Sequence, residues 1–425
     1  MAKVTNKYPV WHPFSQMFGV ESIPTVVKAE GVWLHTEDGK KLYDAISSWW
    51  VNLHGHSNPK IAEAVYKQML NLEHVIFAGF THQPAIELCE RLDKYLPKRD
   101  WKYFFSDNGS TAVEVALKMA IQYMRQGDLK RKVNVVALDG SYHGDTFGAM
   151  SAATRSVFTD PWDDLFFDVT IIPPPSPGNE LACFNQLKEV ADESTILIYE
   201  PLVLGAAGMV MYSPEAMEEM LSIVHHAGGM LIADEVMTGF GRTGQWFASN
   251  ATKILPDLMC LSKGLTGGAL PMALTICKQE LYDSFLHPEF EKGFLHGHSF
   301  TGNPVGCAAA LASLDLMEDP ETWRQIEAMN SFFMAQKAVL EQHEMVKDVR
   351  VCGGIIALDI EEENKGYIHP LRNKMYDAFL EKGVLIRPLG NVVYLLPPYT
   401  SSKEELSLAM DAIKEVLNEL MEVVS

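Results

Sequence analysis

The sequence predicts an α/β fold: a large domain whose mostly parallel sheet is covered by helices, and a smaller α+β domain. Apolar strands alternate with helices up to residue 262, a pattern typical of parallel strands joined by right-handed crossovers. From about residue 311 the pattern changes to amphipathic helices and short strands, which indicates antiparallel pairing. We therefore expect a segment 1–54 that joins the small domain, a large domain 55–310 and a small domain 311–425.

Each predicted element has its own local signal. Residues 24–46, with a turn at 37–40, predict a small β-meander. Pro84 is typical of a helix start. Periodicity and apolar runs predict the other elements, namely helices at 58–71, 84–95, 112–126, 180–191, from 304 and at 402–422, and strands at 101–105, 133–138, 195–199, 230–233, 258–261, 272–276, 349–358, 384–387 and 392–395.

Composition limits the class of partner. The 425 residues suffice for one large domain and a smaller one. A formal net charge of −20 argues against nucleic acid or an anionic membrane as a partner. The start lacks the apolar core of a signal peptide, and no run approaches the roughly 20 apolar residues of a membrane helix. Six scattered cysteines without a C-x-x-C pair fit reduced thiols and give no metal site. We expect a cytoplasmic protein.

Two predicted strands each deliver an ionisable residue to the same edge of the sheet. The apolar run 230–233 precedes Asp234, and the run 258–261 leads to Lys263. Open α/β sheets bind ligands at the carboxyl ends of their strands. Pyridoxal phosphate needs a lysine that bonds its aldehyde and an acidic partner for its ring nitrogen, so this pair indicates that cofactor. A structural ion pair is the alternative interpretation.

A second motif in this stretch points elsewhere and is rejected. Residues 239–244 (GFGRTG) match the dinucleotide fingerprint G-x-G-x-x-G. However, residues 234–238 separate the strand from the first glycine, and no clear helix start follows the last one. The match therefore does not indicate a nicotinamide-dependent dehydrogenase.

Two turns before predicted helices are candidates for binding phosphate. Gly109, Ser110 and Thr111 place backbone N–H groups and hydroxyls at the positive end of a helix dipole. A plain N-cap made by one of the two hydroxyls is the alternative. Beside the lysine-containing stretch, we favour the phosphate interpretation. The loop 296–304 (HGHSFTGNP) is the second candidate.

Other residues have both a functional and a structural interpretation. Tyr142 and His143 follow a predicted strand, so the tyrosine could stack on a planar cofactor, whereas a buried, hydrogen-bonded histidine is common. The adjacent Trp49 and Trp50 could line a pocket or divide between core and surface. Arg387, before a glycine turn, could clamp a carboxylate or form a surface ion pair.

Taken together, these motifs resemble the class III, fold-type I pyridoxal-phosphate aminotransferases. The resemblance rests on Gly109-Ser110 before a helix and on the segments LIADEVMTGFGRTG, LSKG and HSFTGNP. Four further segments resemble the branch of this family that aminates 8-amino-7-oxononanoate in biotin biosynthesis: WHPFSQM, SSWWVNLHGH, GSYHGDTFGAMS and IRPLGNVVYLLPPY. The similarity covers nearly the whole chain.

The resemblance implies a role for each matching residue. Lys263 would bond the cofactor and transfer the proton, and Asp234 would pair with the pyridine nitrogen. Gly109 and Ser110 would bind the phosphate, and Tyr142 would stack near the cofactor. The family's ping-pong reaction would take an amino group from a donor in one half-reaction and pass it to the keto substrate in the other.

The resemblance also implies a homodimer with active sites at its interface. His298 and Ser299 would reach the cofactor of the partner subunit. The small-molecule substrates would be held by residues around the expected keto-acid site, and Arg387 would bind the carboxylate. These residues are Phe14, Trp49, Tyr142, Lys263, Gly297, Arg387 and Tyr394.

The amino donor is left open between S-adenosylmethionine and lysine. Members that use S-adenosylmethionine have a tyrosine where this chain has Phe14, and Pro-Thr where it has His298-Ser299. Many class members also carry a glutamine where Leu204 stands. Losing one hydroxyl removes a hydrogen bond of about 1 kcal/mol, which is enough to change donor choice. Trp49, by contrast, resembles the S-adenosylmethionine type.

Three other functions compete with this interpretation. The nearest is another class III aminotransferase acting on an ω-amine such as ornithine or 4-aminobutyrate. A pyridoxal-phosphate aminomutase would need no separate donor and would release no keto acid. A non-enzymatic binding module would show neither the yellow colour of the cofactor nor absorbance that borohydride abolishes.

Overall fold

The structure is a computed structural model that describes residues 9–18, 20, 23–126, 128–360 and 370–424. The strands are β1 (Val26–Glu30), β2 (Trp33–Thr36), β3 (Lys41–Asp44), β4 (Trp101–Ser106), β5 (Asn134–Leu138), β6 (Val169–Ile172), β7 (Thr195–Tyr199), β8 (Val203–Leu204), β9 (Val210–Met211), β10 (Met230–Asp234), β11 (Leu258–Leu261), β12 (Ala273–Lys278), β13 (Val346–Cys352), β14 (Ile355–Ile360), β15 (Val384–Leu385) and β16 (Val392–Leu395).

The helices lie between these strands or at the chain end. They are α1 (Ser47–Trp50), a single left-handed turn described below, α2 (Pro59–Asn71), α3 (Gln83–Leu92), α4 (Gly109–Met124), α5 (Phe147–Ser151), α6 (Glu180–Val190), α7 (Pro214–His226), α8 (Gln279–Asp283), α9 (Pro304–Met317), α10 (Pro320–Leu340), α11 (Pro370–Glu381) and α12 (Lys403–Val424). Among the described residues, no helix is both long and apolar enough to cross a bilayer.

The largest sheet confirms the predicted mostly parallel architecture. Within the described chain it has seven strands in the order β4-β12-β11-β10-β7-β5-β6. Only the pairings of β12 with β11 and with β4 are antiparallel; the other neighbours pair in parallel. The order changes direction along the chain, which opens a crevice at the carboxyl ends of the strands, where such sheets bind ligands.

Helices cover both faces of this sheet because its central strands are apolar throughout. All five residues of β10 are buried. Alternate side chains of a strand point to opposite faces, so Leu231 and Ala233 pack into one hydrophobic cluster. Ile232 packs into a second cluster, together with Val113 and Ala116 of α4. Burial on both faces explains why these runs do not alternate with polar residues.

A third hydrophobic cluster joins the two ends of the chain. Val32 and Tyr43, from the N-terminal meander, pack in the same cluster as Phe379 and Ile413. The meander and β15 form one sheet of order β1-β2-β3-β15, with β15 parallel to β3. The domain bounds stay predictions, and the expected boundary at 310 falls inside the continuous helix α9.

The expected single strand 349–358 is wrong, because it is a hairpin. Strand β13 ends at Cys352 and the antiparallel β14 begins at Ile355. Gly353, between them, has a φ of 56°, which glycine adopts without steric cost. The three strands β13, β14 and β16 form the antiparallel sheet expected for the small domain.

Candidate active site

A cavity of about 590 Å³ lies where the central strands end, and we call it the lysine cavity. Strand β10 ends in Asp234, and β11 leads through one residue into Lys263. The lining includes five residues that the sequence selected: Asp234, Lys263, Tyr142, Gly109 and Ser110. The structure therefore brings together the residues expected at the strand ends and at the start of α4.

Lys263 is the amine of this cavity. It begins a short 3₁₀ turn, Lys263–Thr266, with a φ of 44°, which is uncommon for a residue other than glycine. Its Nζ lies 4.7 Å from the centroid of the Trp50 ring. Burial lowers the pKa of Lys263, against the opposing effect of two nearby carboxylates. A lowered pKa leaves more of the amine neutral, the form that attacks a carbonyl carbon.

Asp234 is held in one orientation by two hydrogen bonds. Its Oδ1 accepts the Val236 backbone N–H at 3.1 Å. Its Oδ2 lies 2.7 Å from the buried His143 Nδ1. Because a carboxylate oxygen only accepts, Nδ1 carries the proton of this bond. Nε2 of the same imidazole has no hydrogen-bond partner within the described residues. His143 is thus a buried histidine that is hydrogen-bonded to Asp234, which confirms the structural interpretation given for it from the sequence.

Glu200 is a cavity residue that the sequence analysis did not select. Its Oε1 accepts the Tyr142 backbone N–H at 3.1 Å, and its Oε2 accepts the Gly205 N–H at 2.9 Å. Burial raises the pKa of Glu200 to about 7, opposed by the adjacent His143. Glu200 directly follows β7, so the rule that selected Asp234 also pointed to it.

The start of α4 leaves donors for an anion. Asn108 caps the helix: its side chain accepts the Thr111 N–H at 3.0 Å, and Thr111 Oγ1 accepts the Asn108 N–H at 3.3 Å. The alternative interpretation, in which a hydroxyl at 110 or 111 is the N-cap, is therefore wrong, because the preceding asparagine is the cap. The N–H groups of Gly109 and Ser110 have no acceptor inside the helix.

Local packing also requires glycine at this helix start. A Cβ on Gly109 would come within 2.6 Å of Val236 Cγ1. Ser110 Oγ lies 2.7 Å from Thr146 Oγ1 and accepts the Thr146 N–H at 3.0 Å. Both contacts fix the turn against the segments that follow β10 and β5, so the free N–H groups face the cavity on a rigid support.

The tryptophan pair lies in a left-handed turn. Ser47, Ser48, Trp49 and Trp50 have φ values of 51°, 45°, 74° and 73°. The Trp50 N–H donates to the Ile46 carbonyl oxygen at 2.8 Å, as in one turn of helix. For residues other than glycine this conformation costs roughly 1–2 kcal/mol each. Such strain persists only where surrounding contacts hold it.

The turn separates the two indoles. Trp50, with 5% exposure, lines the lysine cavity, and its Nε1–H donates to the Tyr394 hydroxyl at 3.0 Å. Trp49 is half-buried outside that lining. Trp50, which was not selected as a site residue, is the tryptophan beside Lys263, and Tyr394 lies behind it, not among the residues that line the cavity.

Trp49, on this turn, contacts two other residues that the sequence analysis selected, Phe14 and Arg387. We call these three residues the aromatic rim. The Phe14 and Trp49 rings contact edge to face at 5.4 Å between centroids. The Arg387 guanidinium lies 5.0 Å from the Trp49 ring centroid, and its Nη2 donates to the Phe14 carbonyl oxygen at 3.1 Å. Its buried Nε has no hydrogen-bond partner within the described chain. That donor is available to an anionic ligand.

The second phosphate candidate does not reach the chain's own cavity. Gly297 and Ser299 are exposed, and His298 is half-buried. The His298 N–H donates to Thr301 Oγ1 at 3.0 Å, which closes a local turn. None of the three lines the lysine cavity.

Fold and site define a class of protein: an α/β enzyme with a lysine and an aspartate at neighbouring strand ends beside an anion-binding helix start. The chain belongs to the class III aminotransferase family, whose model matches residues 18–417. The expected family, fold and enzyme class are therefore confirmed, and the rejection of a dehydrogenase is correct. The alternative of a non-enzymatic binding module is wrong.

Individual proteins show the same likeness. The chain is 46% identical over 422 residues to the adenosylmethionine-8-amino-7-oxononanoate aminotransferase of Synechococcus elongatus, covering 97% of this chain and 99% of that one. The crystal structure of the enzyme so named from Methanocaldococcus jannaschii is 34% identical, with a TM-score of 0.91 and 97% of each chain covered. An amine transaminase of an uncultivated Pseudomonas species, solved in its PLP-bound form, is 27% identical, with a TM-score of 0.89 and coverage of 97% and 99%.

Proposed function

We propose that this protein is a pyridoxal-phosphate aminotransferase that converts 8-amino-7-oxononanoate into 7,8-diaminononanoate in biotin biosynthesis. The names of the relatives at 46% and 34% identity support this substrate. The observation that carries the proposal is the aromatic rim beside the lysine cavity. It pairs an arginine whose Nε is free within the described chain with two aromatic rings, which suits a substrate with an apolar chain that ends in a carboxylate.

The donors of the lysine cavity fit pyridoxal phosphate. A cavity of about 590 Å³ is within the usual range for a cofactor of this size. Lys263 would bond the aldehyde, and the N–H groups of Gly109 and Ser110 would bind the phosphate. Asp234 would hold the ring nitrogen in its protonated form. When bound, the cofactor supplies an electron sink for the carbon that carries the amino group.

The chain's own residues then divide the work of the reaction. Lys263 moves a proton at its Nζ, helped by burial, which lowers the pKa of this amine. His143 holds the Asp234 carboxylate through the 2.7 Å contact. Tyr142 lies across the cavity, where its ring would stack on the cofactor.

The substrate would extend from the cavity to the aromatic rim. Arg387 would bind its carboxylate, and Trp49 and Phe14 would contact its methylene chain. Tyr394 would act through its hydrogen bond to Trp50. Gly297 would contact the substrate only as part of an assembled dimer, since it is exposed and does not line this cavity.

We further propose a homodimer in the cytoplasm. His298 and Ser299 would serve the partner's cofactor, which accounts for their distance from the cavity of their own chain. Several large apolar side chains, too exposed for a typical monomer surface, suit such an interface: Trp11, Tyr66, Leu70, Phe80 and Phe300. Each of the six cysteines, all within the described chain, is a free thiol, as in a reducing compartment.

The test separates the two half-reactions and the two donors. Purified holoenzyme is mixed with S-adenosylmethionine or with lysine while the visible absorbance of the cofactor is followed. The enzyme converted by its donor is then mixed with 8-amino-7-oxononanoate, and the product is identified by mass spectrometry. We expect one donor to react and 7,8-diaminononanoate to appear.

Each result has a defined meaning. Reaction with lysine alone would link Phe14 and His298-Ser299 to lysine use, and reaction with S-adenosylmethionine alone would make these residues neutral variation. If neither donor reacts but ornithine or 4-aminobutyrate does, the proposal is overturned in favour of an ω-amine substrate. Turnover of one substrate without release of a keto acid would instead identify an aminomutase.

A further inference from the structure

Asp44 lies beneath the left-handed turn and contacts neither the lysine cavity nor the aromatic rim. It is the last residue of β3, and its side chain has no exposed surface. The Ser48 N–H donates to Asp44 Oδ1 at 2.9 Å, and the Ser48 hydroxyl donates to Oδ2 at 2.7 Å. His56 Nε2 lies 2.8 Å from the same Oδ2. A buried carboxylate thus holds the centre of the strained turn.

The other contacts hold the two ends of this turn and the Trp49 side chain. At its start, the Ser47 hydroxyl donates to the Leu396 carbonyl oxygen at 2.8 Å. At its end, Arg242 Nη2 donates to the Trp50 carbonyl oxygen at 3.3 Å. Residues 48 and 49 lie between these anchors in the left-handed region, and the hydrogen bonds of Ser48 go to Asp44. The Asp44 carboxylate is thus the hydrogen-bond partner that holds Ser48, whereas the ring contacts of Trp49 hold its side chain.

His56 keeps the carboxylate in place. Its Nδ1 lies 3.2 Å from Asn52 Nδ2 and accepts a hydrogen bond from that amide. The ring proton is therefore on Nε2, which donates a hydrogen bond to Asp44. The His56 backbone N–H and carbonyl oxygen pair with those of Gly31, which ties this residue to the meander. Asp44 is therefore fixed from one side by His56 and contacts the turn on the other.

We propose that Asp44 is a positioning residue, whose carboxylate holds the left-handed turn and thereby fixes both tryptophans at the site. The turn directs Trp50 to Lys263 and Trp49 to Arg387, so a relaxed turn would move both indoles together. This inference depends on the proposed function in one respect, because its kinetic test uses the proposed keto substrate.

The kinetic test compares Asp44→Ala with Asp38→Ala. Asp38 is an exposed aspartate in the nearby hairpin turn and does not contact the tryptophans. Because hydrogen bonds to a charged group are lost and both indoles move, we expect Asp44→Ala to raise KM for 8-amino-7-oxononanoate at least about tenfold and to lower kcat by a smaller factor. The Asp38 variant should match the wild type. An unchanged KM in Asp44→Ala overturns the proposal, and Asp44→Asn, which keeps volume and one acceptor, gives a weaker form of the same pattern.

A rescue variant separates this role from a general loss of structure. Glycine adopts positive φ without steric cost, so Ser48→Gly removes part of the strain that Asp44 offsets. We expect the double variant Asp44→Ala/Ser48→Gly to bind the keto substrate more tightly than Asp44→Ala and to recover at least half of the lost affinity on a logarithmic scale. A double variant as impaired as Asp44→Ala would overturn the inference.

Fluorine NMR tests the positioning without any substrate. The holoenzyme is labelled with 5-fluorotryptophan, and two of its eight tryptophan signals are assigned with Trp49→Phe and Trp50→Phe. In Asp44→Ala we expect those two signals to move and the other six to stay, and in Asp38→Ala none to move. If the two signals stay, or if all eight move, the proposal is overturned. Because no substrate is present, this result is independent of whether the wild-type enzyme accepts 8-amino-7-oxononanoate.

Discussion

The lysine cavity and the aromatic rim are built in different ways. The cavity is carried by neighbouring strands of one buried sheet, and polar residues at or just beyond the ends of these strands line it. The rim joins an N-terminal segment, a left-handed turn and the loop after β15, and the hydrogen bond from Arg387 to Phe14 spans 373 positions of the chain. The cavity therefore uses a rigid support common to many ligands, whereas the rim depends on contacts between distant parts of the chain.

This difference divides chemistry from specificity. Lys263 and Asp234 would act on any amino group that reaches the cofactor, so changes in the cavity should affect both half-reactions. The rim would contact only what lies beyond the reacting carbon, so changes there should distinguish one substrate from another. The following variants test that division, from the largest expected effect to the smallest.

Lys263→Ala should have the largest effect. Removing the amine that bonds the cofactor and moves the proton should slow both half-reactions by at least about 10³-fold. Stopped-flow absorbance with each substrate measures this. Lys253→Ala changes an exposed lysine in the same way and serves as the control. Substantial turnover by Lys263→Ala would show that this lysine is not the reactive amine. The lysine cavity would then not be the place where the chemistry occurs.

Glu200→Gln tests the cavity through stability. Burial raises the pKa of Glu200 from 4.5 to about 7. The folded state therefore binds more protons than the unfolded state between these values. The stability that Glu200 contributes should be fully present below pH 4.5, should be lost by about 3 kcal/mol as pH rises through this window, and should then stay constant.

The glutamine variant should lack this decline, because it cannot ionise. Thermal melting of both proteins from pH 4.5 to 8 gives the comparison, with the exposed Glu219→Gln as the matched control. Parallel curves for wild type and Glu200→Gln would mean that Glu200 is ionised throughout, and that its two backbone N–H contacts outweigh its burial.

Arg387→Ala should affect one half-reaction more than the other. Losing charged hydrogen bonds to the substrate carboxylate, worth about 2–3 kcal/mol, should raise KM for the keto acid roughly 30–100-fold. The donor half-reaction should change less than about threefold. Arg324→Ala, at an exposed helix position, controls for loss of a positive charge. Equal losses in both half-reactions would place the carboxylate clamp elsewhere and would weaken the division between cavity and rim.

Phe14→Tyr should have the smallest effect. It adds one hydroxyl at the rim without changing the ring that contacts Trp49. A new hydrogen bond of about 1 kcal/mol should shift the ratio of kcat/KM for S-adenosylmethionine over lysine by about fivefold. Phe18→Tyr, at a highly exposed position, is the control. A ratio that stays constant in Phe14→Tyr would show that donor choice is made outside the rim.

The cavity could be predicted because its signals are local. An apolar run that ends in Asp234 or leads to Lys263 fixes both a strand and the place where its last side chain lies. Glu200 obeyed the same rule and was overlooked, because glutamate at a strand end has many structural roles. The glycines at 353 and 354 are also a local signal, because they mark the turn between β13 and β14. The expected single strand 349–358 ignores this turn.

The place of Trp50 in the lysine cavity could not be predicted. In an extended or right-handed helical segment, ordinary periodicity predicts the direction in which each side chain points. Here four residues with positive φ reverse the usual directions, and no residue in Ser47–Trp50 is a glycine that would have indicated this. The conformation depends on Asp44, on Arg242 and on the Leu396 carbonyl oxygen. Local propensity argues against such a turn, and only tertiary contacts offset its cost.

The sequence by itself determined the alternation of strands and helices, the residues at the strand ends and the family motifs that match them. These follow from short-range periodicity and from the chemistry of single side chains. The tertiary structure alone decided that Trp50 faces the lysine, that Tyr394 supports it and that Phe14 meets Arg387. Contacts between residues hundreds of positions apart form only when the chain has folded around the site, so no local pattern encodes them.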